Sequence, residues 1–224
     1  MKENNERQRF LSEEEIQRLL AECPTHLRRI VECAIHTGMR RGEILSLRWD
    51  QVRNGFIYLQ KTKTNEARQV PVNDDLAQLF RDLRAEGQLR SEHVFTYWNG
   101  EDKLKGQKPV KERRKVAPVP ERVGSVKTAF RAACRRAGIK DFKFHDLRHT
   151  SASHMVMKGA SLKEVQEILG HKTMAMTLRY AHLSQEHKKK AVNLLSGLTA
   201  SKKPANESCH KSVTSLKPTS VPVG

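Results

Sequence analysis

No run of about 18 consecutive apolar residues occurs anywhere in the sequence, so no segment reads as a membrane-spanning helix. The first ten residues, MKENNERQRF, have no apolar stretch behind their charges and are not expected to be a signal peptide. Cysteine is sparse. Cys23, Cys33, Cys134 and Cys209 are scattered without C-x-x-C spacing, which fits free thiols in a reducing compartment, and the expected location is cytoplasmic. No internal repeat is apparent. Acidic residues are also few: 25 Asp and Glu stand against 42 Lys and Arg, a net charge of +17. A soluble chain this basic calls for a polyanionic partner, because neutralising phosphates releases their counterions. Charge alone fits a ribosomal or histone-like binder equally well.

Apolar residues make up 37% of the 224, enough for one core and no more. Ser12 and Glu15 form a capping-box pattern ahead of Ile16, Leu19 and Leu20 at helical spacing. Pro24 suits the start of a second helix with Leu27, Ile30, Val31, Ala34 and Ile35 inward, ended by Gly38. A short helix is expected around Glu43 to Leu47. Phe56–Leu59 and Arg68–Val72 read as strands joined by a polar turn, Thr62 to Glu66. A helix from Asp74 and a brief extended piece at 93–96 follow. Between 103 and 122 lie eight basic residues, two acidic ones and three prolines, a loop-like stretch. The rest is expected to be helical near 124–137, 145–158, 161–169, 173–181 and 184–196. The expected organisation is a flexible segment 1–10, one domain over 11–198 containing a basic loop at 99–123, and a disordered basic tail over 199–224. The fold class is mainly α with a small antiparallel β-sheet.

Three stretches concentrate polar chemistry. They are Thr37-Gly38-Met39-Arg40-Arg41-Gly42-Glu43, His145-Asp146-Leu147-Arg148-His149-Thr150, and Leu169-Gly170-His171 with Arg179-Tyr180-Ala181-His182 behind it. His145 and Arg148 share one helix face. Gly170 is expected to place His171 at a helix entrance, where backbone donors favour an anion. Two arginines and two histidines on one point would clamp a phosphate. A tyrosine beside such a clamp can act as a nucleophile, although a phenol pKa of about 10 keeps it protonated at neutral pH. The clamp must then stabilise the transition state, and a base must receive the proton.

The ordered set Arg40, His145-x-x-Arg148, His171 and Tyr180 resembles the active-site signature of the tyrosine recombinase, or phage integrase, family. The surrounding phrases TGMRRGEIL, HDLRHTSASHMVMKG and LGHKTMAMTLRYAH resemble that family almost throughout. Lys63 falls in the turn of the predicted hairpin, where such enzymes carry an active-site lysine. The resemblance covers roughly residues 11–196 and implies the family's catalytic-domain fold. It further implies that Tyr180 attacks a DNA phosphate, leaving a 3′-phosphotyrosyl link. Arg40 and Arg148 would hold the non-bridging oxygens, and His171 would donate to them. His145 would accept the tyrosine proton, and Lys63 would protonate the departing 5′-oxygen. Glu43 would hold Arg40. Neither ATP nor a metal or other cofactor is called for, and double-stranded DNA is the expected partner, with homo-oligomers assembling on it.

Plainer readings stand beside these. His145-Asp146-Leu147-Arg148-His149 imitates the H-E-x-x-H zinc pattern, but Arg148 would repel a cation and no third ligand follows. Cys23-x-x-His26 with Cys33-x-x-His36 lacks finger spacing, so packing is the expected role. His149 is read as structural, and His182 as either near the site or at the surface. Lys103, Lys105, Lys111, Arg113, Arg114, Lys115, Arg131, Arg135 and Lys143 are expected to touch the DNA backbone; a merely solvated face would look the same. The apolar patch at Ala191, Val192, Leu194 and Leu195 follows a lysine run. It is expected to dock on a neighbouring protomer or to pack on its own domain. Most relatives carry a helical DNA-clamping domain ahead of the catalytic one, and here it is expected to be absent. That leaves a fragment, a minimal recombinase or a broken-gene remnant, the last being a recombination-deficient DNA-binding regulator.

Overall fold

The computed structural model of the chain describes residues 9–60, 67–86, 91–97, 121–184 and 192–196. The first helix, α1 (Glu13–Ala21), begins as its capping box dictates. Ser12 Oγ accepts from the Glu15 amide at 3.2 Å, and the Glu15 carboxylate accepts from the Ser12 amide at 3.1 Å. Arg9 and Phe10, inside the segment expected to be loose, are held: Arg9 pairs with Glu15 at 2.6 Å, and Phe10 packs edge-on against His154.

Helix α2 (Thr25–Thr37) starts at Pro24 and stops at Gly38, which takes a left-handed φ of 60°. A Cβ at Gly38 would lie 2.3 Å from Leu169 Cδ2 and 3.2 Å from Ser151 Oγ, so glycine is what lets three helices converge there. The short helix α3 (Arg41–Leu45) follows. Then come β1 (Val52–Arg53), β2 (Phe56–Leu59) and β3 (Arg68–Pro71), an antiparallel sheet in the order β1-β2-β3. No strand was expected before Phe56. The Asn54-Gly55 dipeptide makes it: both residues have positive φ (51° and 74°), as a two-residue hairpin turn needs. Helix α4 (Asp74–Ala85) is capped by Asn73 and buries Leu76, Phe80 and Leu83.

A two-strand pairing of β4 (Thr96–Tyr97) with β5 (Glu121–Arg122) corrects the extent of the expected basic loop, because residues 121–122 are strand rather than loop. Helices α5 (Lys127–Arg136), α6 (Asp146–Met157), α7 (Leu162–Leu169) and α8 (Ala175–Leu178) complete the set, with a 3₁₀ turn at Ala181–Ser184. The segment expected as one helix over 173–181 is therefore a four-residue helix followed by a tight turn. The expected helix 184–196 and the tail 199–224 lie mostly or wholly outside the described residues.

Helix α6 is the centre of the fold. Eight of its twelve residues are buried, including Asp146, Arg148, Thr150, Ser151 and Ser153. It packs on α2, α7 and the 3₁₀ turn. The main core gathers Leu11, Leu27, Ile30, Ile57, Phe130 and Leu147; a second, smaller one holds Ala152, Val156, Val165, Leu169 and Tyr180. Cys23, Cys33 and Cys134 are buried free thiols, and burial pushes them up to about 11, 12 and 11. They are packing residues. Val192, Leu194 and Leu195 are exposed, so the described part of that patch does not pack on its own domain.

Candidate active site

Arg148 organises the site. Its guanidinium is buried and donates through NH1 to Gly38 O at 2.8 Å and through NH2 to Leu169 O at 2.7 Å. Those carbonyls end α2 and α7, where the helix dipoles favour a cation. Gly38 precedes Arg40 by two residues, and Leu169 precedes His171 by two. One side chain thus draws together the two backbones that carry the other expected phosphate ligands. Three of its five N–H donors have no protein partner among the described residues. Burial, then the nearby guanidiniums of Arg40 and Arg68, bring Arg148 down to about 10, still a cation at neutral pH.

Arg40 is held by Glu43, whose carboxylate accepts from the Arg40 amide at 2.8 Å and from its guanidinium at 3.2 Å. That is the role expected of Glu43. The same carboxylate takes a bidentate grip from Arg68, at 3.0 and 2.7 Å, and Arg68 also donates to Ile168 O at 3.1 Å. Burial works to raise the Glu43 pKa, but the bonds and charge of Arg68, then those of Arg40, outweigh it and leave the carboxyl below its ordinary value. Arg68 is absent from the sequence-based site. It links β3, α3 and α7, and a Cβ at Gly170 would strike its Cδ at 2.7 Å.

His171 departs from its expected setting. Gly170 is the left-handed C-cap of α7, so His171 follows a helix end rather than opening one, and its amide donates to Gln166 O at 3.0 Å. What favours an anion there is the neighbouring pair Arg148 and Arg40. After burial, those two charges are the largest influences holding the His171 imidazole down at about 4. Its Nδ1 meets Thr177 Oγ1 at 2.8 Å, which fixes the ring.

Tyr180 is buried to 5% exposure, and its hydroxyl lies 2.6 Å from His149 Nδ1. Sequence reasoning gave His149 a structural role and His145 the proton. The structure instead sets His149 against the phenol, with the His145 ring edge-on to His149 at 5.4 Å. Desolvation first, then His145, lowers the His149 pKa; desolvation and Arg148 lower that of His145. Both imidazoles are therefore biased toward the neutral form relative to a free histidine. His182 is exposed at the surface.

A cleft of about 660 Å³ opens beside the clamp, lined by Arg40, Lys127, Arg131, Lys143 and His145 over an apolar floor that includes Phe130 and Phe144. Arg131 and Lys143 thus border the site, and Arg135 lies one turn further along α5, exposed. Arg136, by contrast, is engaged with Glu22. Lys63, Lys103, Lys105, Lys111, Arg113, Arg114 and Lys115 lie outside the described residues. Among the described residues no group of three or more His, Cys, Asp or Glu could hold a metal ion, and no helix is long and apolar enough to cross a membrane.

The family model described as phage integrase family matches residues 9–187. The integrase of Salmonella phage P22 is 37% identical over 190 residues, covering 82% of this chain and 46% of that protein. The solved catalytic domain of bacteriophage HP1 integrase is 32% identical, with a TM-score of 0.58, covering 82% of this chain and 93% of that one. A lambda integrase tetramer bound to a Holliday junction, 22% identical with a TM-score of 0.58, covers 76% of this chain and 47% of that one and shares the fold. This chain therefore belongs to the phage integrase family, and its fold is that of a tyrosine recombinase catalytic domain. It spans about half the length of the curated relatives it matches.

Proposed function

We propose that the chain is the DNA-cleaving and rejoining part of a site-specific recombinase, with Tyr180 as nucleophile. The observation that carries this reading is the buried Arg148 guanidinium, which joins the backbones leading to Arg40 and His171 and leaves donors for a phosphate. Tyr180 attacks the scissile phosphate; Arg40, Arg148 and His171 stabilise the charge gathering on its non-bridging oxygens. Lys63 protonates the 5′-oxygen as it leaves, the role that the resemblance to the family implies for it. The phosphotyrosyl bond conserves the energy of the broken phosphodiester, so religation by a 5′-hydroxyl needs neither ATP nor a cofactor. Arg131, Arg135 and Lys143, with the basic residues from Lys103 to Lys115, meet the DNA backbone. Lambda integrase, solved as a tetramer on a Holliday junction, supports a homo-oligomer on DNA here too.

The test is covalent trapping on nicked duplexes of randomised sequence, a library that samples short sites of every sequence. The expected result is a detergent-stable protein–DNA adduct that disappears in Tyr180→Phe, with the trapped DNA sequenced to give the preferred site. A folded chain that binds duplex DNA yet traps none of the library would assign it to the DNA-binding regulators instead.

A further inference from the structure

We infer that His149 is a catalytic residue, the immediate acceptor of the Tyr180 proton during cleavage and its donor during religation. The inference deepens the proposed recombinase reading and rests on it. Three observations carry it. The first is distance: His149 Nδ1 stands 2.6 Å from the Tyr180 oxygen, a short bond between the nucleophile itself and a nitrogen able to take a proton. The second is placement. His149 is on the opening turn of α6, with Arg148 beside it and His145 at the cap, so the base and the phosphate ligand are fixed by one rigid element. The third is the surrounding charge. His145, Arg148 and Asp146 on its own helix and Arg179 beside Tyr180 all act on His149, and with desolvation the net effect favours the neutral ring. A neutral imidazole has one free lone pair. In the Nε2–H tautomer that lone pair is on Nδ1, facing the phenol.

The step balances without any co-reactant. As the Tyr180 oxygen bonds to phosphorus, its proton passes to Nδ1. The bond from phosphorus to the 5′-oxygen breaks, and that oxygen takes a proton from the general acid. On religation the 5′-hydroxyl returns its proton to the group that served as general acid, its oxygen displaces Tyr180, and the phenol recovers its proton from the imidazolium. An imidazole is a weaker base than a phenolate by roughly 3–4 pKa units, so transfer accompanies bond formation rather than preceding it. The incoming phosphate assists by opposing the positive field around the ring.

Two measurements test this. Nitrogen-resolved NMR of the free 224-residue chain should show His149 with Nδ1 unprotonated and Nε2 protonated, and the Nδ1 resonance should move in Tyr180→Phe. A proton resident on Nδ1 would overturn the inference, because His149 would then donate to the phenol. The second is the rate of adduct formation on the duplexes trapped by the wild-type chain. His149→Asn keeps a polar group near the Nδ1 position but cannot take a proton. It should lose about 10²–10⁴-fold in rate, and His149→Ala should lose as much. Replacing the 5′-oxygen by sulfur makes a leaving group that needs no acid; it should rescue Lys63→Ala and leave both His149 variants slow. Wild-type rate in His149→Asn, or rescue of the His149 variants by sulfur, would overturn the inference while the recombinase reading stood. Absence of any wild-type adduct would remove both.

Discussion

Glu43 shares one carboxylate between Arg40 and Arg68, and the two arginines stand in different positions. Arg40 is 36% exposed and can turn toward a phosphate; Arg68 is 7% exposed and has nowhere else to go. Removing the carboxylate therefore strands a buried cation. Glu43→Gln should cost about 3 kcal/mol, seen as a lower urea midpoint with an unchanged denaturant slope. Arg68→Lys should recover little of what Arg68→Ala loses, since a point charge cannot bridge both carboxylate oxygens and reach Ile168 O. Gly170→Ala should cost about 1–3 kcal/mol and lower the melting temperature, because φ is +67° and Arg68 fills the space beside it. Glu43 was legible in the sequence: it sits three residues after Arg40, in capping position. Arg68 was not. A charged residue on a four-residue strand reads as a solvated one, and its burial depends on the hairpin lying against α7. His149 was hidden differently, since its partner lies 31 positions away and nothing local distinguishes it from a packing histidine.

The helices announced themselves through their caps. Ser12 with Glu15, and Pro24 with Gly38, set boundaries that the structure keeps within a residue or two. Helix α6 gave no such stripe: it is buried on nearly every side, so its polar residues are inside rather than facing water. Its presence followed from spacing, its central position did not. The setting of His171 also escaped a local reading, because one glycine can end a helix or begin the approach to the next. That placement has a consequence for pH. The His171 pKa in the folded chain is about 4, below the ordinary 6.5, and His145 and His149 are shifted the same way. The unfolded chain thus binds protons that the folded one refuses. Stability is complete above pH 6.5 and falls as pH drops from there toward 4, with Glu43 adding its own loss as pH passes below the usual carboxylate range. Between about pH 7 and pH 5, His171 should contribute a loss of about 1 kcal/mol after allowance for solvent screening. Urea midpoints across this range should decline, and His171→Asn should flatten the decline. A phosphate bound at the clamp opposes the field that depresses His171, so DNA binding should take up protons below about pH 6.5. Calorimetry in two buffers of different ionisation enthalpy measures that uptake.

At the scale of the whole molecule, the excess of basic residues said that a polyanion is the partner but not where it lies. Some of the described cations are already paired within the protein, and others line the cleft. Arg136 reaches across to Glu22, Arg28 to Glu32 and Arg29 to Glu86, so these charges serve α1, α2, α4 and α5 as structural clasps. Lys127, Arg131 and Lys143 surround the opening that leads to Arg40 and His145. Periodicity shows that Lys127, Arg131 and Arg135 share a face of α5, but not that this face borders the clamp; that requires the 142–145 segment folding beside it. Salt dependence can tell the two groups apart. Each phosphate neutralised contributes a slope of about −0.9 to the logarithm of duplex affinity against the logarithm of salt concentration. The double variant Arg131→Ala/Lys143→Ala should therefore make the slope shallower by about 1.8, measured by fluorescence anisotropy on a random-sequence duplex. Arg136→Ala should leave the slope unchanged and lower stability slightly, as loss of an exposed ion pair does. If Arg136→Ala reduced the slope while the double variant did not, the DNA would lie on the opposite face of α5. A duplex held there would leave Arg131 and Lys143 without a phosphate to meet, and the cleft would lose its place in the reaction.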